Sequence, residues 1–384
     1  MKPKVPLNIQ LIITEQCNLR CDYCFEIDKG PKSMPVGLAK EIINRELSQQ
    51  SEYDEFQIDL AGGEPFLHFN DLREIVDYSI QNSSRWNKKF YFFICSNLTL
   101  LDEKIKTWLE ERRDYVVLGT SLDGTKKIHD HYRCNSYDIV VHQIPFYRKL
   151  YPLQGVKMTI GPDGIESIYE GIISIESLGL APSANVVYEP VWGDSKSKKD
   201  HLRHFAEQLD LLIPHYIDNP DLEVPNLLSL PIRNIIMLRD PSYRWCGSGR
   251  TMTAYDTDGR KLPCHRFSRF CTGKLFEGPQ SIGPRVETKC DSCVLAAACP
   301  NCPGYNWQVY GHPDSRTSYH CEFIKLQFLA AAKLIFLRNE SLIAQLVNSE
   351  TKNVPNVPKN TLESILAAEF VMQSLDVEDI ISHA

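Results

Sequence analysis

The sequence predicts an α/β protein whose first half forms a parallel sheet that curves into a full or partial barrel. Two observations support this fold class: short apolar runs alternate with segments of helical period as far as residue 216, and the rhythm changes at about residue 235. A third observation separates the second half, because eight of the thirteen cysteines lie between residues 246 and 321.

Each predicted strand is a short apolar run of the kind that is buried on both faces of a parallel sheet. The six strands span residues 8–14, 57–61, 90–96, 115–122, 156–161 and 183–189. The helices that alternate with them lie near residues 36–49, 70–83, 102–112, 137–149, 165–178 and 197–216. Strand–helix units in series require right-handed crossovers, which place the strands parallel.

The second half predicts two further parts. Residues 246–321 combine cysteines with glycines and prolines and have little periodicity, so we expect a small domain organised by bound metal more than by a hydrophobic core. Residues 323–348 predict a packed helix, and a weaker helix follows the linker NVPNVPKN. The predicted domains are therefore residues 1–235, 236–325 and 326–384.

Composition and charge restrict the class of protein. The chain has 384 residues, 43% of them hydrophobic, which is enough for more than one core, and its net charge of -7 disfavours nucleic-acid binding. The apolar stretch near the N-terminus is too short for a membrane span and lacks a signal-peptide cleavage site. We therefore expect a cytoplasmic protein without a membrane anchor, in which thirteen cysteines indicate metal ligation more than disulfides.

The unusual residues follow the carboxyl ends of the predicted strands, where an α/β barrel carries its site. The segment TEQCNLRCDYCFE follows strand one, AGGEP follows strand two, SN follows strand three and SLDG ends strand four. Three thiolates spaced CxxxCxxC can bind three corners of a cubane iron–sulfur cluster and leave the fourth iron open. Zinc with three protein ligands is the alternative that this triplet alone allows.

The combination of CxxxCxYC, GGEP and SLDG resembles the radical SAM superfamily over roughly the first 190 residues. The resemblance implies a partial (β/α)6, TIM-like barrel in which Cys17, Cys21 and Cys24 hold a 4Fe-4S cluster that binds S-adenosylmethionine (SAM). Reduction of the cluster would then yield a 5'-deoxyadenosyl radical that abstracts a substrate hydrogen. The remaining SAM contacts implied by the resemblance are Tyr23 near the adenine, Gly62, Gly63, Glu64 and Pro65 at the methionine amino group, Asn97 behind them, Ser121 and Asp123 near the ribose, and Arg133 at the carboxylate.

The second group of cysteines is strong evidence for metal by its repeated close spacing, although spacing alone does not separate zinc from iron–sulfur. Beside a radical SAM barrel, the pattern resembles the SPASM domain, which holds two auxiliary 4Fe-4S clusters and brings the total to three. The resemblance assigns Cys290, Cys293, Cys299 and Cys321 to an outer cluster and Cys246, Cys264 and Cys302 to an inner one. The gap from Cys299 to Cys302 is one residue shorter than the family pattern. Cys271 would be a fourth inner ligand, unless the inner cluster has an open iron.

Three residues near these groups receive simpler interpretations. Cys95 reads as a small buried hydrophobe and Cys134 as a structural residue. His265 stands where the sulfatase-maturase branch has an aspartate base, which leaves it a weak candidate for a base.

SPASM enzymes mostly act on peptides or proteins. The resemblance fits best a maturase of ribosomally made peptides, in the group whose Cys-containing precursor peptides carry repeated cysteines and whose products are thioether crosslinks (sactipeptides or ranthipeptides). Carbon–carbon cyclophane formation, sulfatase-maturase-like oxidation of Cys or Ser, and a non-enzymatic zinc scaffold are the alternatives. The resemblance also implies a flavodoxin- or ferredoxin-type electron donor. Strand one begins too near the N-terminus for a preceding recognition domain, so leader binding would use the barrel, the C-terminal helices or a separate protein.

Overall fold

The computed structural model describes residues 5–237, 246–348 and 357–384. Six parallel strands form the centre of the fold, and each is hydrogen-bonded to the next in chain order. They are Leu7–Thr14 (β1), Glu55–Gly62 (β2), Lys89–Cys95 (β3), Val116–Ser121 (β4), Val156–Ile160 (β5) and Pro182–Val186 (β6). The predicted α/β fold class and all six predicted strands are confirmed.

The helices that connect these strands also match the predicted segments, with one addition. They are Val36–Ser48 (α1), Phe69–Gln81 (α2), Glu103–Glu111 (α3), Lys126–Tyr132 (α4), Tyr137–Leu150 (α5), Ile168–Ser177 (α6) and Ser195–Asp218 (α7). The sequence analysis missed α4 because seven residues are too few to display a helical period.

Two short strands of the cysteine-rich region extend the same sheet. Met252–Tyr255 (β7) pairs in parallel with β1, and Lys261–Leu262 (β8) pairs antiparallel with β7. The cysteine-rich region is therefore joined to the barrel sheet by backbone hydrogen bonds, which the prediction of a separate metal-organised domain did not include. The sheet is open, since β6 and β8 are its two edges among the described residues.

The cysteine-rich region contains two short helices, Arg269–Thr272 (α8) and Pro303–Tyr310 (α9). The C-terminal part is helical, as predicted, and its helices are Cys321–Arg338 (α10), Glu340–Asn348 (α11), Lys359–Ser374 (α12) and Val377–Ser382 (α13). The predicted helix 323–348 is divided at Asn339, a residue type that favours helix ends. Residues 353–356 of the predicted linker lie outside the described residues.

The two faces of the sheet differ in chemistry. Alternate strand residues such as Phe56, Ile58, Phe92 and Ile94 are fully buried against the surrounding helices. The residues between them form the inner face of the sheet, which is polar: Asp59 of β2 accepts hydrogen bonds from Asn8, Gln10 and Gln57. Burial of the apolar face stabilises the sheet by about 1.5 to 3 kcal/mol for each large side chain, while the polar inner face remains available for ligands.

The cysteine-rich region has its own small apolar core. Phe267 stacks on Trp307 with ring centroids 5.5 Å apart, and Phe276 packs edge-on against both rings. The sequence analysis did not predict this aromatic cluster, because its apolar residues are scattered between turns where periodicity does not reveal them. None of the described helices is long and apolar enough to cross a membrane.

Candidate active site

The loop between β1 and α1 carries the three cysteines of the CxxxCxxC motif. Their side chains are half-buried, and the Cys24 amide donates to the carbonyl of Cys21 across 3.0 Å. Burial raises the pKa of Cys21 to about 11, and the neighbouring thiols of Cys24 and Cys17 act in the same direction. The three thiols of this loop are therefore close enough to interact electrostatically.

A glycine pair fixes this loop against the end of β2. The amide of Gly63 donates to the Thr14 carbonyl across 2.9 Å, and the amide of Glu64 donates to the Gln16 carbonyl across 2.8 Å. A Cβ on Gly63 would lie 2.0 Å from the Gln16 carbonyl oxygen, and Gly62 has a φ of 139° that other residues rarely adopt. Only glycine fits here, since the backbones of the two loops are in direct contact.

Glu64 joins the second loop to the third. Its Oε1 accepts from the Ser96 hydroxyl across 2.9 Å, and its Oε2 accepts from the Asn97 amide across 2.8 Å. Burial raises the pKa of this carboxyl to about 7, although the hydrogen bonds oppose the shift. Pro65 starts the 3₁₀ turn that follows. The side chain of Asn97 in turn donates to Asn18 of the cysteine loop across 2.9 Å.

Asp123 is the centre of a second network, at the end of β4. Its fully buried carboxylate accepts from the Tyr23 hydroxyl, from Arg133 Nε across 2.7 Å and from the Thr159 amide across 2.9 Å. The Arg133 guanidinium also lies 5.5 Å from the centre of the Tyr23 ring. We expected Asp123 near a ribose, but its carboxylate is enclosed by protein donors. Ser121, the other residue of this pair, is buried at the carboxyl end of β4.

Three cysteines of the second half form one group. Burial raises the pKa of Cys264 to about 12, and the thiols of Cys302 and Cys246 act in the same direction. Cys302 Sγ also accepts the Tyr305 amide at the start of α9, across 3.5 Å. Cys271 in α8 is fully buried, and Cys264 is among the groups that add to the rise of its pKa, after burial itself and Glu26. We call Cys246, Cys264 and Cys302 the inner cysteine group.

Four other cysteines form a second group farther along the chain, which we call the outer cysteine group. Burial raises the pKa of Cys299 to about 12; Arg316 opposes this, whereas Cys290, Cys293 and Cys321 contribute to it. The Cys293 amide donates to the Cys290 carbonyl across 3.3 Å, and Cys321 is the first residue of α10. The assignment of these seven cysteines to an inner and an outer cluster stays a prediction.

The donors in these groups are thiols, which iron–sulfur clusters take as ligands and which zinc also accepts. Within residues 5–237, 246–348 and 357–384, no three Cys, His, Asp or Glu side chains are placed to hold one metal ion. The residue types fit iron–sulfur clusters, because three or four thiolates are the ligand set that a cubane takes.

The inner cysteine group is tied directly to the barrel. His265, next to Cys264, donates from its backbone amide and from Nδ1 to Oε1 of Gln10, each across 3.0 Å. Gln10 is held in that orientation because its own amide group donates to Asp59 across 3.1 Å. Burial lowers the pKa of His265 to about 4, so the imidazole is neutral near pH 7 with its proton on Nδ1. In this neutral form, Nε2 carries no proton and can accept one.

Two cysteines lie outside the predicted clusters, and one of them differs from expectation. Cys95 was expected to be buried, but its side chain is exposed at the carboxyl end of β3 on the inner face. The prediction counted apolar neighbours in FYFFICS and did not consider that alternate strand residues face opposite sides. Cys134 has a structural role, since its sulfur accepts the Arg20 amide across 3.3 Å.

The sequence analysis did not place Lys157, Glu189 and Arg266 in the site. Arg266 donates to Glu189 across 2.5 Å and lies 4.7 Å from the centre of the Phe25 ring, so it links the cysteine loop, the segment after β6 and the inner cysteine group. Lys157 is an exposed residue in the middle of the apolar run VKMTI of β5. A charge within a strand that is otherwise buried was the signal that would have identified it.

Residues 11–163, which contain the cysteine loop and the three loops that follow it, match the Radical SAM superfamily, so this part of the chain is a radical SAM domain. The cysteine-type anaerobic sulfatase-maturating enzyme of Clostridium novyi is 32% identical over 131 residues, which are 32% of this chain and 34% of the relative. The subtilosin biosynthesis protein AlbA of Bacillus subtilis is 24% identical over 331 residues, which are 78% of this chain and 67% of AlbA.

The solved structures agree on the fold. Native anSMEcpe with bound AdoMet and Cp18Cys peptide superposes with a TM-score of 0.65 at 18% identity, covering 88% of this chain and 100% of the other. The first curated relatives match over only about a third of their own length, 37% and 34%.

Proposed function

We propose that the chain is a radical SAM maturase that forms intramolecular Cys thioether crosslinks in a ribosomally made precursor peptide. The observation that carries this proposal is the hydrogen bonding of His265 to Gln10, because it connects the inner cysteine group to the inner face of the barrel sheet. A peptide between the two would contact both the barrel and the auxiliary thiols. The relatives add support, since AlbA matches over 78% of this chain and is named for the biosynthesis of a bacteriocin.

In this proposal, the cysteines of all three groups are cluster ligands. Cys17, Cys21 and Cys24 would hold the cluster that binds SAM, and the inner and outer groups would hold two auxiliary 4Fe-4S clusters. SAM and the clusters would supply the radical that removes a hydrogen atom from carbon and the acceptor for the remaining electron.

The chain's own residues would orient SAM and shield it from water. Arg133 has its Nε occupied by Asp123, so the terminal nitrogens of its guanidinium would bind the SAM carboxylate, with Tyr23 beside it. Glu64, with the glycine pair, would bind the methionine amino group. Asn97 would hold Glu64 in place through its backbone amide.

The peptide would contribute both atoms of the new bond. A carbon–hydrogen bond and a sulfur–hydrogen bond would be lost and a carbon–sulfur bond formed, with the thiol proton released. The Nε2 atom of His265 is an acceptor for such a proton. We further propose a flavodoxin- or ferredoxin-type electron donor and a separate protein for leader recognition.

Sulfatase-maturase-like oxidation is the second candidate function, because the C. novyi relative carries that activity in its name at 32% identity. His265 departs from the aspartate of that branch, which is why we place it second. Cyclophane formation would use the same residues without a substrate thiol.

One experiment separates these reactions. Reconstituted protein is incubated without oxygen with SAM, a strong reductant and a candidate Cys-containing precursor peptide, and the peptide is analysed by tandem mass spectrometry with and without thiol alkylation. Loss of a hydrogen pair together with an alkylatable thiol supports the thioether. Loss of hydrogen with every thiol free indicates a cyclophane, and a product that reacts with a hydrazine probe indicates oxidation to an aldehyde. Absence of 5'-deoxyadenosine contradicts the whole proposal.

A further inference from the structure

One lysine on the inner face of the sheet forms no ion pair with any of the described residues. Lys157 is the second residue of β5, and its side chain is exposed while its neighbours Val156 and Met158 are buried against the helices. In the sheet register, Lys157 lies beside Ser121 of β4 and Ser183 of β6. Registered residues of parallel strands point to the same face, so the ammonium extends into the barrel interior.

Another residue of the candidate site shares this face with Lys157. Cys95, at the carboxyl end of β3, is in register with Gly119 of β4, two residues before Ser121, so its side chain lies on the same face of the sheet. The ammonium therefore lies on the inner face together with Ser121, Ser183 and Cys95.

Three other cations of the candidate active site already have ion-pair or hydrogen-bond partners. Arg133 is paired with Asp123 across 2.7 Å, Arg266 with Glu189 across 2.5 Å, and Lys29 donates to the Leu19 carbonyl across 3.3 Å. In the described part of the chain, no carboxylate comes within 4.0 Å of the Lys157 ammonium. A cation in a partly enclosed space is stabilised when an anion is added, because the charge is otherwise incompletely solvated.

We propose that Lys157 binds a carboxylate of the peptide substrate, either an Asp or Glu side chain or the C-terminal carboxylate, and so determines which segment of the peptide enters the barrel. The inference rests on the proposed peptide-maturase function and adds a specificity-determining residue to it. The bond would be a charge-assisted hydrogen bond, which fixes register along a peptide as well as contributing affinity. Arg133 would serve the SAM carboxylate, since it lies against Tyr23 and Asp123.

The test uses the reconstituted protein and a candidate Cys-containing precursor peptide. Lys157→Met removes the charge at nearly constant length and Lys157→Arg keeps it. Lys333→Met is the matched control, since Lys333 is a half-buried lysine on α10 paired with Asp210. We expect Lys157→Met to raise the KM for the peptide about tenfold to a hundredfold. Lys157→Arg should retain most of the affinity, Lys333→Met should equal the wild type, and SAM binding without peptide should be unchanged in all three.

Peptide variants identify the carboxylate. Each Asp and Glu of the peptide is changed to Asn or Gln in turn, and the C-terminus is amidated in a further variant. One of these changes should raise the wild-type KM as Lys157→Met does and have no further effect on Lys157→Met. A Lys157→Glu enzyme should regain activity on a peptide whose critical side-chain acid is replaced by Lys.

The remaining outcomes separate a failure of this inference from a failure of the proposed function. An unchanged peptide KM in Lys157→Met overturns it, and so does a loss of SAM binding with the peptide KM unchanged, which would assign the carboxylate to SAM. If the wild type neither binds nor modifies the peptide, the proposed function fails and the inference with it. If the product is a cyclophane or an aldehyde, the thioether is contradicted while the KM test of Lys157 still stands.

Discussion

Arg133 and Asp123 form a buried ion pair in which Nε of the guanidinium lies 2.7 Å from Oδ2 of the carboxylate. The same carboxylate accepts from the Tyr23 hydroxyl in the cysteine loop and from the Thr159 amide in β5. One side chain thus fixes the orientation of an arginine, a tyrosine and a strand. If Arg133 binds the SAM carboxylate as proposed, Asp123 acts on SAM binding indirectly, through the position of Arg133.

The first prediction concerns this pair. Asp123→Asn removes the negative charge and leaves the Arg133 guanidinium buried without a counter-charge, which typically costs roughly 3 to 5 kcal/mol. We expect a corresponding fall in the free energy of unfolding, measured by chemical denaturation, and weaker SAM binding in equilibrium dialysis. Tyr23→Phe is the control, because it removes only one donor and should cost about 1 kcal/mol. Equal stability of Asp123→Asn and wild type would show that the pair is not needed for folding.

The second prediction tests the glycine contact between the first two loops. Gly63→Ala places a methyl group 2.0 Å from the Gln16 carbonyl oxygen, so one of the two backbones must move. Because Gln16 precedes Cys17, we expect the variant to lose most of the iron of the SAM-binding cluster, measured by electron paramagnetic resonance after reduction. Gly37→Ala in α1 is the matched control, since nothing lies within 4 Å of the added methyl group. That change should stabilise the helix by up to about 1 kcal/mol, and normal cluster content in Gly63→Ala would refute the expectation.

The barrel strands were predictable because each is a short apolar run, and hydrophobic burial determines both the pattern and the fold. The strands β7 and β8 were missed since they have four and two residues, and their pairing with β1 depends on contacts distant in sequence. Short strands of this kind are fixed by tertiary context rather than by local propensity.

At the candidate site, the cysteines and glycines were visible because the chemistry restricts residue type and spacing. The enclosure of Asp123 was not, because a motif shows which residues are present and not which of them bind each other. Lys157 illustrates the same limit, since its side of the strand follows from register with Ser121 and Ser183. The exposure of Cys95 follows from the same alternation.

The third prediction concerns pH and Glu64. Burial raises the pKa of this carboxyl from 4.5 to about 7, so the folded protein holds a proton that the unfolded chain releases at lower pH. The resulting stabilisation is complete below pH 4.5 and is lost as the pH rises through about 7; the full effect is about 3 kcal/mol. If the ionised carboxylate binds the SAM ammonium group, SAM affinity should increase across the same range.

Glu64→Gln is the variant that tests this linkage. Its amide oxygen replaces only one of the two accepting carboxylate oxygens, but the side chain does not titrate, so the fall in stability between pH 4.5 and 7 should be smaller than in the wild type. The measurements are urea denaturation and SAM binding, each at several pH values. A wild-type profile in the variant would assign the pH dependence to another group.

The fourth prediction addresses the inner cysteine group. Because Cys302 interacts electrostatically with Cys264 and Cys246, we expect Cys302→Ala to prevent assembly of one auxiliary cluster and to lower the iron content by about one third. Cys134→Ala should leave the iron content unchanged, since that sulfur accepts only the Arg20 amide among the described residues. Cys271→Ala distinguishes the two forms of the inner cluster, because it should reduce iron only where Cys271 is the fourth ligand. Iron and sulfide analysis with Mössbauer spectroscopy measures all three variants, and a Cys302→Ala protein with full iron content would remove Cys302 from the ligand set.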